Sequence, residues 1–314
     1  MTKNNTGVAG LDIGKHKLDL ALFGCDKRWC FANDAQGRAA LVAMLLAAGI
    51  ARVGLEASGG YERDVADTLR QAGFEVILLQ PRQVRAYALY RLRHAKTDAI
   101  DAGLIAACTA EHNATRQSAT DPRIVALTEP LRLLEQTEDD IAQLKTRCEA
   151  YRDEAIRDEI KQEIVRLRLR RNQRLKALLS ALRTHQDLAL RLDLVLSVQG
   201  IGPRTALTLI IRMPELGSIS REQAASLAGL APFNDDSGGR TGQRHIAGGR
   251  ADVRIALYAA ALPAAFRWNK TLIGLYQRLT ANGKVHKQAL IACARKLLIF
   301  ANTVLKRHSP WIPA

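Results

Sequence analysis

The sequence predicts an α/β domain followed by two mainly helical regions. Short segments with the alternating or continuously apolar pattern of β-strands occur between residues 7 and 79, and helix-like segments separate the later ones. A stretch from Leu131 to Val198 then contains neither Pro nor Gly and is rich in Leu, Arg, Glu and Gln, which indicates helix. Helical patterns continue over residues 193–314. The predicted fold class is therefore α/β plus α.

The N-terminal elements follow the order three strands, helix, strand, helix, strand, helix. The predicted strands are 7–13, 17–23, 29–31, 52–56 and 75–79. The predicted helices are 36–48, 61–71, one that Pro81 opens, and one that follows Thr97 and runs to about Ala110. A meander followed by βα units with right-handed crossovers is the order of an RNase-H-like mixed sheet.

Apolar residues in the central stretch recur with the spacing of a coiled coil or helical hairpin. They are Leu134, Ile141, Leu144, Cys148, Tyr151 and Ala155, followed after a shift in phase by Ile160, Ile164 and Leu167. Asp121-Pro122 marks a boundary before this region. We therefore predict an α/β domain over residues 1–125, a helical coiled coil over 126–192 and a mainly helical C-terminal domain over 193–314.

The protein is strongly basic, and the excess charge lies toward its C-terminus. Its 46 Lys and Arg against 31 Asp and Glu give a net charge of +15. From Arg240 to Arg307, thirteen basic residues stand against one acid, Asp252, a local balance of +12. The segment Lys161–Lys176 holds seven basic residues and one acid, which is either a second basic surface or a solvated helix face. This charge predicts a nucleic acid or an anionic surface as partner, and an aromatic content of 5% favours contacts to a nucleic-acid backbone over stacking on bases.

Composition also indicates the compartment. The longest apolar run, Ala39–Ala51, has 13 residues, fewer than the roughly 18 that a membrane span needs. Residues 1–6 are polar and do not resemble a secretory signal. The five cysteines contain no CxxC pair, which fits a reducing environment and excludes a structural zinc knuckle. We expect a cytoplasmic protein with no membrane contact.

Four carboxylates are candidate ligands for a divalent cation. Asp12 and Glu56 end the first and fourth predicted strands, which are neighbours in an RNase-H-like sheet. Asp98 and Asp101 lie three apart on a predicted helix and so share one of its faces. Converging carboxylates repel one another unless a cation neutralises them, and hard oxygen ligands suit Mg²⁺ or Mn²⁺. Two such ions can assist phosphoryl transfer.

An alternative for Asp12 is the phosphate loop of an actin-like or sugar-kinase ATPase, which also begins with a strand ending in Asp-Ile-Gly. No second glycine-rich loop occurs at the spacing that such an ATPase needs, and ATPase chemistry does not explain the basic C-terminus. Instead of a metal ligand, Glu56 could be a residue of a turn. Asp98 and Asp101 could instead be acids at a helix N-terminus, where the helix dipole favours negative charge.

The second candidate site is the loop that contains Ser237-Gly238-Gly239. Two glycines allow a backbone to bring a hydroxyl against a phosphate without obstruction, and a serine activated in a cationic setting is a nucleophile. The guanidinium groups that follow suit phosphate binding; they belong to Arg240, Arg244, Arg250 and Arg254. Possible helpers are Asp235, Asp236 and His245. Taken alone, Ser-Gly-Gly is typical of a simple turn.

A further glycine motif runs from Val198 to Pro203 and precedes an apolar helix. Its pattern is typical of a helix-hairpin-helix turn, in which Gly200 and Gly202 would let backbone N–H groups approach a phosphate. The alternative is a Gly-Pro connector between two helices.

Taken together, these motifs resemble those of DEDD transposases of insertion-sequence family 110. The resemblance covers nearly the whole chain in order. It rests on Leu11-Asp12-Ile13-Gly14, Gly54-Leu55-Glu56-Ala57-Ser58-Gly59, Lys96-Thr97-Asp98-Ala99-Ile100-Asp101-Ala102, Gly200-Ile201-Gly202-Pro203 and Gly229-Leu230-Ala231-Pro232 leading to Ser237-Gly238-Gly239. The Lys-Thr-Asp-x-x-Asp and Ala-Pro…Ser-Gly-Gly elements are the most specific. No departure occurs at the five catalytic positions.

The resemblance implies a RuvC-like domain, a coiled coil and a C-terminal transposase domain. It implies that Asp12, Glu56, Asp98 and Asp101 form a tetrad that binds Mg²⁺ or Mn²⁺, and that Ser237 forms a covalent phosphoserine linkage to DNA. It also implies a noncoding bridge RNA that pairs with donor and target DNA, and subunits that assemble from dimers into a tetramer with composite active sites. The location it implies is the bacterial cytoplasm, in association with the nucleoid.

Two other functions remain open from the residues. A RuvC-like Holliday-junction nuclease would use the carboxylates to hydrolyse DNA, and Ser237 would then be only a turn residue. A nonenzymatic nucleic-acid-binding scaffold would keep the sheet without its activity. Replacement of Ser237 or Asp12, or removal of Mg²⁺, distinguishes these from a recombinase.

Overall fold

The computed structural model describes residues 7–57, 59–91, 98–112, 121–233, 236–237, 240–241 and 245–312. The chain divides into two compact units, Met1–Ala119 and Thr120–Ala314. The second unit contains both the central helices and the C-terminal helices, and the three-domain division by residue number stays a prediction.

The N-terminal unit is a five-stranded mixed sheet with helices, as predicted. Its elements are β1 (Gly7–Ile13), β2 (Lys17–Leu22), β3 (Arg28–Ala32), α1 (Ala35–Ala47), β4 (Ile50–Glu56), α2 (Glu62–Gln71), β5 (Glu75–Leu79), α3 (Pro81–Tyr90) and α4 (Asp98–Glu111). The strand order is β3-β2-β1-β4-β5. β1 pairs antiparallel with β2 and parallel with β4, so the first and fourth strands are neighbours.

The two faces of this sheet differ because side chains alternate along each strand. On one face, Leu11 of β1 and Leu55 of β4 belong to a buried apolar cluster that includes Leu41 of α1 and Leu69 of α2. The other face carries Gly10 and Gly54, and α4 packs across β1, β2 and β4 there. A Cβ atom on Gly10 would overlap the backbone of Ala106, and one on Gly54 would overlap the side chain of Thr109. These two glycines therefore allow α4 to lie directly on the sheet.

The C-terminal unit is mainly helical. Its helices are α5 (Pro122–Ala126), α6 (Thr128–Ala150), α7 (Glu154–Arg183), α8 (Gln186–Leu196), α9 (Pro203–Arg212), α10 (Arg221–Leu227), α11 (Ala251–Pro263), α12 (Lys270–Ala281) and α13 (His286–Arg307), with a π-helical turn at Ala264–Trp268. Short strands β6 (Pro232–Phe233), β7 (Asp236–Ser237), β8 (Arg240–Thr241) and β9 (His245–Ile246) lie between α10 and α11.

Two turns divide the helical stretch predicted from Leu131 to Val198, and the first of them makes the hairpin that was predicted as the alternative to a coiled coil. Residues 151–153 separate α6 from α7, and residues 184–185 separate α7 from α8. Asp153 fixes the start of the second helix, because its side chain accepts a hydrogen bond from Ala155 N (2.8 Å) and thus caps α7. Tyr151, which the predicted apolar stripe included, is exposed at this turn.

Helices α6 and α7 pack against each other as a hairpin that is buried at its root and exposed at its tip. Leu131, Leu134, Leu178 and Leu182 join the main apolar cluster at the root, whereas most residues near the turn are exposed. The root is also joined to α9 by ion pairs. Glu135 Oε2 accepts from Arg212 Nη2 (2.7 Å), Glu138 Oε2 accepts from Arg204 Nε (2.8 Å), and Glu138 Oε1 accepts from Arg171 Nε of α7 (3.0 Å). The assignment of α6 and α7 as a coiled coil stays a prediction.

The core of the C-terminal unit surrounds α13. Within the described part of the chain, α13 is the one helix whose length and hydropathy would allow it to cross a membrane. Eleven of its residues are buried, and it packs against α8, α10, α11 and α12. Its apolar composition is therefore that of a core helix.

Candidate active site

Two of the predicted carboxylates lie side by side at the end of the central strands. In the parallel pair of β1 and β4, Leu11 is opposite Leu55, and Asp12 and Glu56 are the next residues on each strand. Neighbouring strands are about 4.8 Å apart. Asp12 lies two residues after Gly10, and Glu56 two after Gly54, so both carboxylates are on the α4 face of the sheet. Both are partly buried.

The other two predicted carboxylates belong to the first turn of α4. Asp98 begins this helix and lies one turn before Ala102, whose carbonyl oxygen faces Gly10. Asp101 is partly buried, and the side chain of Asp98 lies outside the described part of the structure. Among the side chains that are described, no group of three or more His, Cys, Asp or Glu is placed to hold a metal ion. The metal-binding tetrad thus stays a prediction. The strand register supports it for the pair Asp12 and Glu56.

A carboxylate that the sequence interpretation missed lies beside this pair. Asp19 of β2 is directly opposite Asp12 in the antiparallel pair, so the two point to the same face. Opposed like charges destabilise a sheet, and an ion pair between Lys17 Nζ and Asp19 Oδ2 (3.0 Å) offsets this repulsion. Desolvation and, after it, a hydrogen bond with Asp19 raise the pKa of the neighbouring Cys30 thiol. The alternating pattern of β2 already indicated which face of the sheet Asp19 occupies.

Ser237 ends the first of two short paired strands. Ser237 of β7 pairs with Arg240 of β8, which leaves Gly238 and Gly239 as the two residues that connect them. A second pair, β6 with β9, brings Pro232 opposite Ile246 at the base of the loop. The side chains of Ser237, Asp236 and Arg240 lie outside the described part, as do Asp235 and Arg244 entirely, whereas His245 is exposed.

The base of this serine loop, residues 230–247, is closed by three glycines. Gly229, Gly248 and Gly249 all have positive φ, between 64° and 67°. A Cβ on Gly229 would overlap the carbonyl oxygen of Gly248, and one on Gly249 would overlap the backbone of Gly229. The Arg250 N–H donates to the carbonyl of Leu227 (2.7 Å) just beyond. The two ends of the loop are therefore held together by direct backbone packing that no larger residue allows.

Two of the predicted phosphate-binding arginines have internal partners at this base. Arg250 Nη1 donates to the carbonyl of Arg212 (2.7 Å) and forms an ion pair with Glu215. Arg254 Nη1 donates to the carbonyl of Gly248 (2.8 Å). Both side chains thus help to hold the serine loop, and their role in binding nucleic acid stays a prediction.

The two glycines of the Val198–Pro203 turn differ in their surroundings. Gly200 has a φ of 106°, and a Cβ there would lie 2.5 Å from the Cβ of Ala264. Gly202, just before Pro203 at the start of α9, has a φ of −87° and open space around its Cα. Gly200 is therefore needed for packing, whereas nothing in the fold requires glycine at position 202. Phosphate binding by either stays a prediction.

Comparison with known proteins identifies similar sequences over most of the chain. Residues 9–156 match a family model described as DEDD_Tnp_IS110, Transposase, and residues 192–277 match one described as Transposase IS116/IS110/IS902 family. Proteins named "Pilin gene-inverting protein" from Moraxella lacunata and Moraxella bovis are each 27% identical over 325 residues, covering 96% of this chain and 96% of the relative.

Proposed function

The chain belongs to the IS110 family of transposases, and from this we propose that it recombines DNA by metal-assisted strand cleavage with Ser237 as the nucleophile. Membership of the family makes it a DNA-acting transposase or recombinase. The observation that carries the finer proposal is that Asp12 and Glu56 are adjacent on neighbouring strands, and the pairing of Ser237 with Arg240 supports it.

We propose that Asp12, Glu56, Asp98 and Asp101 hold Mg²⁺ or Mn²⁺. The donor set fits such a cation, because all four are hard oxygen ligands and two of them are adjacent on one sheet face. When bound there, the cation supplies charge neutralisation at the scissile phosphate and lowers the pKa of a coordinated hydroxyl or water. The packing of α4 on Gly10 and Gly54 keeps the start of that helix on the carboxylate face.

The chemical step that we propose for Ser237 is a transesterification. Its Oγ forms a bond to phosphorus while the bond between phosphorus and the leaving-strand oxygen breaks. The Oγ proton passes to a base, and the leaving oxygen takes up a proton. Because one phosphoester replaces another, the reverse reaction can rejoin strands without ATP. The base remains unassigned among Asp235, Asp236 and His245.

The names of the two Moraxella relatives support a reaction that rejoins DNA. Those proteins are named for inverting a gene. Inversion of a DNA segment requires that every cut end is joined again, and a covalent serine linkage conserves the bond energy needed for this. A nuclease of the Holliday-junction type leaves hydrolysed ends instead.

We further propose that a noncoding bridge RNA recognises donor and target DNA by base pairing and that subunits assemble into dimers and then a tetramer. In such a tetramer, the carboxylates of one subunit act with the serine of another. The basic C-terminal segment, with its balance of +12, supports salt-dependent contacts to nucleic-acid backbones in a nucleoid-associated, cytoplasmic protein.

Replacement of Ser237 tests the nucleophile. Ser237→Ala should give no covalent protein–DNA adduct when the reaction is stopped with detergent and run on a denaturing gel, since alanine has no Oγ. Ser226→Ala is the matched control, because Ser226 is an exposed serine of α10 in the same unit. An adduct of undiminished yield with Ser237→Ala, or cleavage without any adduct in the wild type, would contradict the proposal, the second result favouring a nuclease.

The bridge RNA has a separate test. The protein should copurify with one RNA species, and ribonuclease treatment should abolish recombination while leaving the protein folded. Recombination that survives complete removal of RNA would refute RNA guidance without affecting the assignment of Ser237.

A further inference from the structure

We propose that an exposed aromatic cluster on the C-terminal unit stacks on unpaired bases of single-stranded DNA. We call Phe266, Tyr276 and His286 the aromatic platform. The ring centroids of Phe266 and Tyr276 are 4.8 Å apart, and those of Phe266 and His286 are 6.2 Å apart with planes inclined by 27°. A 2.7 Å hydrogen bond joins the Tyr276 hydroxyl to His286 Nδ1. Three elements thus contribute rings to one surface.

The platform rests on a rigid turn. Phe266 and Trp268 belong to the π-helical turn Ala264–Trp268, which the Asn269 N–H closes by donating to the carbonyl of Ala264 (3.0 Å). Asn269 is only 2% exposed. Its side chain accepts from the Leu272 N–H (3.2 Å) and donates to the carbonyl of Gln199 (2.9 Å). The turn is therefore fixed from beneath, so its outward rings are preorganised.

The outward rings do not contribute to the core. Phe266 is 50% exposed and Trp268 is 58% exposed, while Ala264 and Ala265 of the same turn are buried. π-Helical turns are rare and frequently occur at functional sites. Since folding gains little from rings left in water, their exposure indicates a surface that binds an apolar partner.

The surroundings of the platform are exclusively basic in sequence. No Asp or Glu occurs from Val253 to Ala314. Five exposed cations close to the platform rings in sequence form no ion pair with a described residue: Arg267, Lys270, Arg278, Lys284 and Lys287. A partner that combines negative charge with flat apolar faces is a nucleic acid.

The rings select a single strand over a duplex. In duplex DNA the faces of the bases are already stacked, so only unpaired bases can stack on a protein ring. A transposase opens DNA when strands are exchanged, which makes single-stranded DNA the partner that its function supplies. This proposal depends on that family function alone and does not require Ser237 to be the nucleophile.

Binding of a fluorescent 20-nucleotide oligo(dT), measured by anisotropy in EDTA, tests the platform. Phe266→Ala should bind at least about fivefold more weakly, since stacking of a base on this ring contributes to the affinity. The matched control is Ile255→Ala, which removes a side chain of α11 that is 67% exposed and lies outside the platform. It should bind as the wild type does, and Phe266→Tyr should also retain binding because it keeps the ring.

Two further arms separate stacking from charge and from other partners. Lys270→Gln/Lys287→Gln should reduce the salt dependence of binding, whereas Phe266→Ala should leave that dependence unchanged. Phe266→Leu keeps an apolar side chain without a ring, so it should bind as weakly as Phe266→Ala even if the alanine variant folds poorly. The proposal is overturned if Phe266→Leu binds oligo(dT) as tightly as the wild type, or if oligo(rU) or a 20-base-pair duplex binds more tightly than oligo(dT).

Discussion

Asp12 and Glu56, which we call the acidic edge of the N-terminal sheet, and the serine loop of the C-terminal unit are held in position in different ways. Asp12 and Glu56 take their places from strand register, because each follows a paired leucine on neighbouring parallel strands. The two ends of the loop that contains Ser237 are held by contacts at the loop base, where Gly229 packs against Gly248 and Gly249. A site built on regular strands follows from local pattern, whereas a site on a loop depends on residues far apart in sequence.

The largest effect is expected at the acidic edge. Asp12→Asn removes a charged ligand while keeping the shape of the side chain, so cleavage should fall by at least about a hundredfold, more than the loss of an outer-shell partner of a metal ligand causes. Cleavage rates over a Mg²⁺ titration, with thermal unfolding to verify the fold, measure this. Asp67→Asn, at an exposed carboxylate of α2, should leave the rate unchanged. Equal rates for both variants would exclude Asp12 from the metal site.

The next largest effect is a loss of stability when the close contact of α4 with the sheet is disturbed. Gly10→Ala should destabilise the protein by about 3 kcal/mol, because its Cβ overlaps the backbone of Ala106 and α4 must move. Gly103→Ala within α4 is the control, since its Cβ meets only the mobile end of the Arg28 side chain and alanine favours helix. Denaturant unfolding compares the two. Equal stabilities would show that the sheet adjusts without moving α4.

A matched glycine pair tests the loop base. Gly248→Ala should cost about 1 kcal/mol, because its φ is positive while the space around it is open. Gly249→Ala has nearly the same φ, yet its Cβ overlaps the backbone of Gly229, so it should cost about 2 kcal/mol more and reduce formation of the covalent DNA adduct. Urea denaturation and the adduct assay measure both changes. If the two variants behave alike, close packing at this base does not position Ser237.

The smallest effect is a pH dependence within the C-terminal unit. Arg123 donates hydrogen bonds to Asp121 and to Asp187 of α8, and these bonds hold the pKa of each carboxyl below its usual value. The stability that the ion pairs contribute is therefore present above the ordinary carboxyl pKa and is lost as pH falls through the lowered pKa values. The loss of stability between pH 5 and pH 3 should be smaller in Arg123→Gln than in the wild type. Arg70→Gln, on the exposed face of α2, should keep the wild-type pH profile.

Much of the N-terminal fold could be predicted because each strand carries its own pattern. Both ends of β1 and of β5 agree with the sequence prediction. Asp19 was missed although it alternates correctly along β2, because its importance depends on the antiparallel register that brings it opposite Asp12. The local sequence pattern therefore identified the strand β2, but it did not show that Asp19 lies opposite Asp12.

The C-terminal unit was less predictable, because its turns and partners are nonlocal. The turn at 151–153 contains neither Gly nor Pro, and only the capping contact of Asp153 identifies it. Arg250 and Arg254 were interpreted from their charge, while their partners, Arg212, Glu215 and Gly248, are set by the tertiary fold. Spacing alone does not reveal such contacts.

The hairpin of α6 and α7 has a mechanical consequence. α7 has 30 residues and is about 45 Å long, and its free end projects from a root that ion pairs fasten to α9. A rod anchored at one end acts as a lever. A force applied to the distal end would therefore be transmitted to α9 and to the neighbouring turn at Gly200.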